Sequence, residues 1–491
     1  GGRGLAVCGA LALAKDGTEE EGFGLVLFNA RNVVLATGGP GGMYRDSVYP
    51  QSQRGSTGMA LRIGAVAQNL TESQFGMASL GFRWNLSGSY QQVVPRYLST
   101  DPDGGGEREF LNDPFPDMKT LASAVFRKGY EWPFDADRVE GFGSSLIDLL
   151  VHREARSGRR VFLDFTRDPQ GGDGLEPFTL EVLDEEARAY LRNSGALGDS
   201  PVERLIAMNR PAFQLFLDNG IDLRTDRLEI AVCAQHNNGG LRAGIWWESN
   251  VHNLFPIGEV CGTHGVRRPG GAALNAGQVG GWRAARYIAA HYREAPPSPE
   301  AFTAIVGGQV EECLSFCDSV LTPKGVGSRL TPAQVISEVQ DRMTLAGAQI
   351  RGPALVAGEK EKARRLLLAL PERLRIRETR ALGTAFWAAD LALTHLVYLE
   401  AIHGYLQAGG GSRGSALVLD NQGEVPSPAL GDRWRFRRAD LGGRTEQEIL
   451  EVWLEGPAEV ATCWVPVRPL PAGEGWFEEV WREFREGRVL R

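Results

Sequence analysis

The stretch CGTHGVRRPGGAALNAGQVGGWRAARYIA, residues 261–289, sets a histidine, two adjacent arginines and a Gly-Gly pair directly before a segment that reads as a helix. His264 and Arg268 are a hydrogen-bonding group and a planar cation, the types that hold an anion or a carbonyl oxygen. A helix start leaves amide N–H groups unpaired and carries partial positive charge, so it stabilises an anion or an electron-rich oxygen placed at its mouth. Glycines at 277, 280 and 281 allow another backbone to come close to this helix. A second histidine, His236, lies in AQHNNGG after Gln235, and Gln74 lies in ESQF. Glu259, in NLFPIGEV, is an acceptor only when ionised.

Positioning these groups needs strands that end where the helix begins. NVVLATGG supplies one: an apolar run at 33–36 stopped by Thr37, Gly38 and Gly39. An apolar strand ending in a glycine turn is how α/β sheets offer backbone amides to a ligand at a strand's carboxyl end. The same grammar returns at 253–260 and runs straight into the arginine-bearing stretch. Residues 56–67 read as a helix. Between them lies a mixed block, with the helical SSLIDLLVHREARS and the short strand RRVFLDF, that reads as an insertion. YREAPPSPEA, 292–301, is a linker by composition, and 332–406 carries apolar residues three and four apart, the spacing of a helical bundle. After GGGSRG come the strand-like VWLEGPAEVATCWVPV and the polar helix WFEEVWREFREG. The divisions expected are 1–69, 70–230, 231–295, 300–410 and 411–491. At this level the helix mouth fits a flavin's pyrimidine edge, electron-rich when reduced, and fits a phosphate nearly as well.

Composition narrows the classes. At 491 residues the chain is long enough for two or three domains, and 43% apolar with 23% charged content is that of a soluble globular protein. A net charge of -8 gives no electrostatic reason to expect nucleic acid or an anionic membrane as partner. All but six of the 53 basic residues are arginine. The cysteines at 8, 233, 261, 313, 317 and 463 form no CxxC pair, so no metal is expected; Cys313 and Cys317 share a helix face as buried apolar residues. No apolar run approaches the roughly 20 residues that span a bilayer. A cytoplasmic location is the expectation, with the reservation that the sequence opens on Gly1 and not on Met.

In their order and spacing, NVVLATGGPGGMY, ESQF, QHNNGG, NLFPIGEV and HGVRRPGGAAL resemble the flavoprotein family of fumarate reductase, succinate dehydrogenase and L-aspartate oxidase. The resemblance covers roughly residues 1–300 and extends more weakly to about 415. It implies an α/β fold: a Rossmann-like FAD-binding domain interrupted by an α+β capping domain, then a helical domain, with a C-terminal appendage. It implies FAD as cofactor, with Ala36, Thr37, Gly38 and Gly39 at the strand-end turn, Gly258 and Glu259 toward ribityl or ribose hydroxyls, and Gly271, Ala273 and Leu274 against the isoalloxazine. Arg268 falls on the arginine that holds substrate beside the flavin; the alternative is an ion-pair partner at a helix start. His264 matches a histidine that either contacts substrate or makes a structural hydrogen bond. Gln235 falls where the family places a substrate-binding histidine, and Gln74, at the Gln of the family's QFHP pattern, is a further candidate for binding substrate.

Departures from the family are as informative. His236 lies three residues before Gly-Gly instead of four, so it either reaches the pocket or pins a loop through Asn237 and Asn238. Gln74, Phe75, Gly76 and Met77 replace a QFHP pattern, and GSTG at 55–58 replaces an acidic turn. The family's proton-delivering arginine aligns near Ser144 or Leu146, although Arg153 and Arg156 lie downstream on the same expected helix. Proton-delivery candidates are therefore His236, His264 and Arg153, in that order. No GxGxxG followed by a helix occurs, so the chain reads as a family member lacking its first portion, expected to bind FAD poorly alone. The expected activity is hydride transfer between flavin and a small anionic or carbonyl-bearing molecule, not succinate or fumarate. The alternatives are a non-catalytic fragment or split subunit needing a partner that supplies the Rossmann portion, and an electron-relay subunit serving an external partner.

Overall fold

The computed structural model describes residues 5–172, 174–321, 329–469 and 475–488. The two strand-then-glycine segments meet: Val33–Leu35 pairs in parallel with Leu254–Pro256, Val33 opposite Leu254 and Leu35 opposite Pro256. Parallel pairing puts both carboxyl ends at one edge, so the turn at 37–39 and the Gly258–Glu259 pair emerge side by side. The helix Ala272–His291 follows the second strand. Before the first strand, Gly9–Leu13 and Leu25–Asn29 form an antiparallel pair.

The inserted block is a five-stranded antiparallel sheet in the order Trp84–Asn85, Ser73–Ser79, Leu228–Asn237, Arg160–Asp164, Arg96–Thr100. Helices Met118–Lys128, Ser144–Arg156, Glu185–Asn193 and Pro201–Asp218 pack on it around Phe126, Leu146, Phe165 and Phe216, all buried. The fold is thus the expected α/β unit interrupted by an α+β cap.

The helical unit consists of Pro299–Leu321, Pro332–Arg342, Pro353–Arg373 and Leu382–Gln407. The first of these begins inside the stretch read as a linker, because Pro at a first helical turn is tolerated where no amide donor is needed. One expectation is corrected here. Thr379–Gln407 is long and apolar enough to cross a bilayer, with mean hydropathy 1.3, yet 83% of that window is buried inside the protein. A helix apolar on every face is the mark of a core element as much as of a span, and this one is packed between Pro332–Arg342, Pro353–Arg373 and Glu448–Leu454. Cys313 and Cys317 share the helix Pro299–Leu321, Cys317 fully buried, and burial pushes both thiols up.

The C-terminal segment is stitched into the earlier parts. Leu417–Glu424 pairs in parallel with Ile350–Arg351 and antiparallel with Phe436–Arg437. Glu448–Leu454 pairs with Val460–Pro466 and with Ala67–Gln68. The final helix Trp476–Arg485 has no buried residue and touches Trp282 through Phe484, ring centroids 5.4 Å apart.

Candidate active site

The strand-end turn and the Gly-Glu pair interlock. Gly38 has φ 73°, a conformation side chains resist. At Gly39 the constraint is space: a Cβ would lie 2.6 Å from Glu259 Oε1 and 2.8 Å from Asn237 Nδ2. Glu259 Oε1 accepts from the Asn237 amide at 2.7 Å and from the Tyr49 hydroxyl. Burial pushes this carboxyl up, while Tyr49 and the amides of Asn237 and Gly39 pull it down. Gly258, at φ 75°, lies against Gly277 of the helix, with 3.8 Å between its Cβ direction and the Gly277 Cα. Two glycines back to back therefore bring the helix Ala272–His291 onto the Glu259 turn.

On the cap side, Gln74 pairs with His236 but Phe75 pairs with Ala234, leaving Gln235 as a bulge. A bulge breaks the strict alternation of a strand and re-aims the side chains beyond it. The one-residue offset of His236 is absorbed in this way. Asn238 Nδ2 donates to the Val266 carbonyl at 3.2 Å, so its Oδ1 is the acceptor facing His236 Nδ1 at 3.0 Å. Neutral His236 then carries its proton on Nδ1 and a lone pair on Nε2.

His264 packs edge-on against His236 with centroids 4.6 Å apart. Burial, first, and the charge of Arg268 push His236 down to about 4. For His264 burial again leads, followed by His236 and Arg268, also to about 4. Both rings are uncharged at neutral pH. The Nε2 atom of each is buried with no hydrogen-bond partner among the described residues. Buried polar atoms are nearly always satisfied, so two adjacent orphans mark a place for a ligand.

The paired arginines divide the work. Arg267 donates to Asp135 at 2.7 and 2.9 Å and pairs with Asp137, fastening its hairpin to the cap. Arg268 turns the other way: its Nε donates to Gln74 Oε1 at 2.8 Å, and Gln74 Nε2 donates back to the Arg268 carbonyl at 2.9 Å. No carboxylate lies within 4.0 Å of the Arg268 guanidinium among the described residues. The helix Ala272–His291 begins at Gly271, φ 79°, with no side chain capping it, and Leu274 at its first turn is 72% exposed.

Arg268, His264, His236, Gln74, Glu259 and Gly39 thus form one connected arrangement. Gln235 donates to the Gly76 carbonyl at 2.8 Å, and its Oε1, like Thr37 Oγ1, has no partner among the described residues. Arg153 does not join them. It lines another cavity with Arg156 and Arg433, because it sits at the far end of Ser144–Arg156, whose first turn meets the Asp135 amide through Ser145 Oγ at 3.0 Å. Arg153 is therefore withdrawn as a proton donor. The sequence reading missed Tyr49 and Asp135, neither of which has a local motif. The role of Asn238 was signalled by its place next to His236.

No protein-family model matches the chain. Over 70 residues it is 49% identical to one of the subunits of the CoM/CoB fumarate reductase of Methanothermobacter marburgensis, covering 14% of this chain and 13% of that one. It is 25% identical over 250 residues to L-aspartate oxidase 2 of Ralstonia nicotianae, covering 50% of this chain and 36% of that one. The chain therefore spans less than half the length of either relative. Among solved structures, the E. coli quinol fumarate reductase flavoprotein FrdA superimposes with a TM-score of 0.62 at 18% identity, over 96% of this chain and 71% of that one. In sequence the chain is a homologue of the L-aspartate oxidases and of a CoM/CoB fumarate reductase, and in fold it is a relative of the fumarate reductase and succinate dehydrogenase flavoproteins.

Proposed function

We propose that the chain is part of an FAD-dependent oxidoreductase whose substrate is a small anionic or carbonyl-bearing molecule other than succinate or fumarate. The observation that carries this reading is the pair of imidazole Nε2 atoms orphaned among the described residues, beside an arginine that has no carboxylate partner among them. The residues present fit a flavin. Gly38 and Gly39 keep the strand-end turn free of side chains, Thr37 Oγ1 is an unused hydroxyl, and an uncapped helix start lies next to the arginine hairpin. When bound, FAD would supply the hydride acceptor or donor.

The chain's own groups do the rest. Thr37, Gly38, Gly39, Gly271 and Ala273 would hold the cofactor. Arg268, pinned by Gln74, holds the anionic or carbonyl group of substrate with its remaining N–H donors. His236 Nε2 accepts a hydrogen bond or proton from substrate, and Asn238 fixes the tautomer. The cap position where a second cation would stand offers Ser144 or Leu146, both buried, and Arg267 is consumed by Asp135 and Asp137. One free guanidinium and two neutral rings suit a single charge better than two, which is why a dicarboxylate is the wrong substrate. The six cysteines are free, including exposed Cys463, which supports a reducing, cytoplasmic compartment.

The test is spectroscopic. The chain is titrated with FAD, then mixed in stopped flow with a panel of small monocarboxylates and 2-oxo acids. Bleaching or recovery of the flavin bands by one compound, lost in Arg268→Gln, supports the reading. Equal turnover of fumarate, or turnover unchanged in Arg268→Gln, overturns it; failure of the isolated chain to take up flavin sends the test to the partner-dependent reading below.

A second reading has its own observation. Val34, in the middle of the parallel pair, is 50% exposed, and Val26, Leu27 and Phe28 nearby are 41%, 39% and 55% exposed. Parallel sheets are normally covered on both faces. This supports a partner that covers the pair, either one bearing GxGxxG or an electron-transfer subunit. Recovery of flavin binding only on addition of such a protein would favour it.

A further inference from the structure

A second cluster of cations lies away from the flavin-edge arrangement. Where the cap, the helical unit and the C-terminal segment meet, a cavity of about 390 Å³ is lined by Arg153, Arg156 and Arg433. The floor is apolar: Leu345, Leu355, Leu419 and the half-buried indole of Trp434. No carboxylate stands within 4.0 Å of any of the three guanidiniums among the described residues. Elsewhere in the molecule Arg96, Arg204, Arg342 and Arg413 are each paired with carboxylates.

Two of the charges oppose each other directly. Burial, joined by Arg433 and Arg108, pulls Arg153 below its ordinary value against the opposing pull of Glu154 and Asp113, and on the same rim burial and Arg156 hold His152 down at about 4. His152 Nδ1 faces the Gln349 side-chain amide at 3.0 Å. With that amide donating, the neutral ring carries its proton on Nε2. Three guanidiniums on one cavity rim with no carboxylate in ion-pair contact favour an anion there, and arginine forks match phosphate oxygens bidentately. The arginine rim calls for several negative oxygens, and the indole and leucines call for a flat, weakly polar ring.

We propose that this junction pocket binds a nucleoside di- or triphosphate, with the phosphates on Arg153, Arg156 and Arg433 and the base against Trp434. This site is separate from the one proposed for flavin, and its test does not require turnover. Its geometry suits an effector. The helix Ser144–Arg156 carries Arg153 and Arg156 at one end, and at the other its Ser145 accepts from Asp135, the residue that grips Arg267. A ligand that clamps the first end restrains the cap over the second.

The experiment is isothermal titration of the full chain with ATP, ADP, adenosine and inorganic pyrophosphate, in the presence of saturating FAD so that no adenylate subsite for the flavin is open. The expected result is one-site binding of ATP and ADP, weakened at least 30-fold in the Arg153→Gln/Arg156→Gln/Arg433→Gln variant. Trp434→Ala should weaken ATP at least fivefold and pyrophosphate less than twofold. If the triple variant fails to fold, Arg433→Gln alone, on an exposed turn, should still lose about fivefold while Arg433→Lys retains most of the affinity. Absence of nucleotide binding, binding unchanged in the variants, binding abolished by FAD, or pyrophosphate binding as tightly as ATP would each overturn the proposal.

Discussion

Arginines without carboxylate partners occur at both ends of the cap helix Ser144–Arg156, and the two settings are built differently. Near its first turn, Arg268 is held in a reciprocal pair with Gln74 and faces two neutral, interlocked imidazoles. At its last turn, Arg153 faces other guanidiniums across an open cavity. The first is a single cation fixed before any ligand arrives, which is what a reacting group needs, since misplacement costs rate steeply. The second is a loose set of charges whose strength comes from number, which suits binding without chemistry. A helix of 13 residues, about 20 Å long, separates them.

The sharpest way to break this contrast is Arg268→Gln. Loss of a preorganised charged donor should lower kcat/KM at least about 10²-fold, roughly 3 kcal/mol, with the melting temperature little changed. Arg153→Gln should leave turnover within about twofold, as expected for a residue that touches no reacting atom. Equal losses in steady-state assays would erase the distinction. Next in size is Gly39→Ala. The new methyl would collide with Glu259 and Asn237, so a loss of about 1–3 kcal/mol in denaturant unfolding should accompany loss of the flavin absorbance.

A pH series sharpens the comparison from the histidine side. His236 and His264 fall from 6.5 to about 4 on folding, so between those values the unfolded chain binds protons that the folded chain refuses. Stability should fall as pH is lowered through that window and be flat above it. Scanning calorimetry in His264→Asn should show a shallower slope; an unchanged slope would mean that the ring is charged in the folded protein. The smallest effect is expected from Arg267→Gln. Its ion pairs with Asp135 and Asp137 are half-exposed, and such pairs contribute about 1 kcal/mol or less. Hydrogen exchange at 261–268 is the measurement that should respond, through loosening of the hairpin from the cap.

Much of this was legible because the signals are local. The apolar runs ending in glycine at 38 and 258 announce strand ends, and their parallel pairing follows from the need to cover one another. The Gly-Gly before Ala272–His291 announces the helix start. What stayed hidden depends on partners far away in the chain. Tyr49 meets Glu259, and Asp135 meets Arg267, and neither residue type nor spacing reveals such contacts. The destination of Arg153 was hidden for another reason: sequence places it on the right helix, but only the length of that helix shows it is at the wrong end. Thr379–Gln407 misled in the opposite direction, because a buried core helix and a membrane span share one composition.

The unmatched Gln235 makes the strand Leu228–Asn237 tolerant of a change in length. Removing that one residue would let the ladder zip without interruption, because His236 already stands opposite Gln74 and Ala234 opposite Phe75. Every residue beyond the cut would keep its partner and its face, and only the local bend and added twist of the bulge would go. Gain or loss of a single codon at this point would therefore change the angle at which His236 and Asn238 are presented without exchanging them for other groups, leaving the cap that carries them intact.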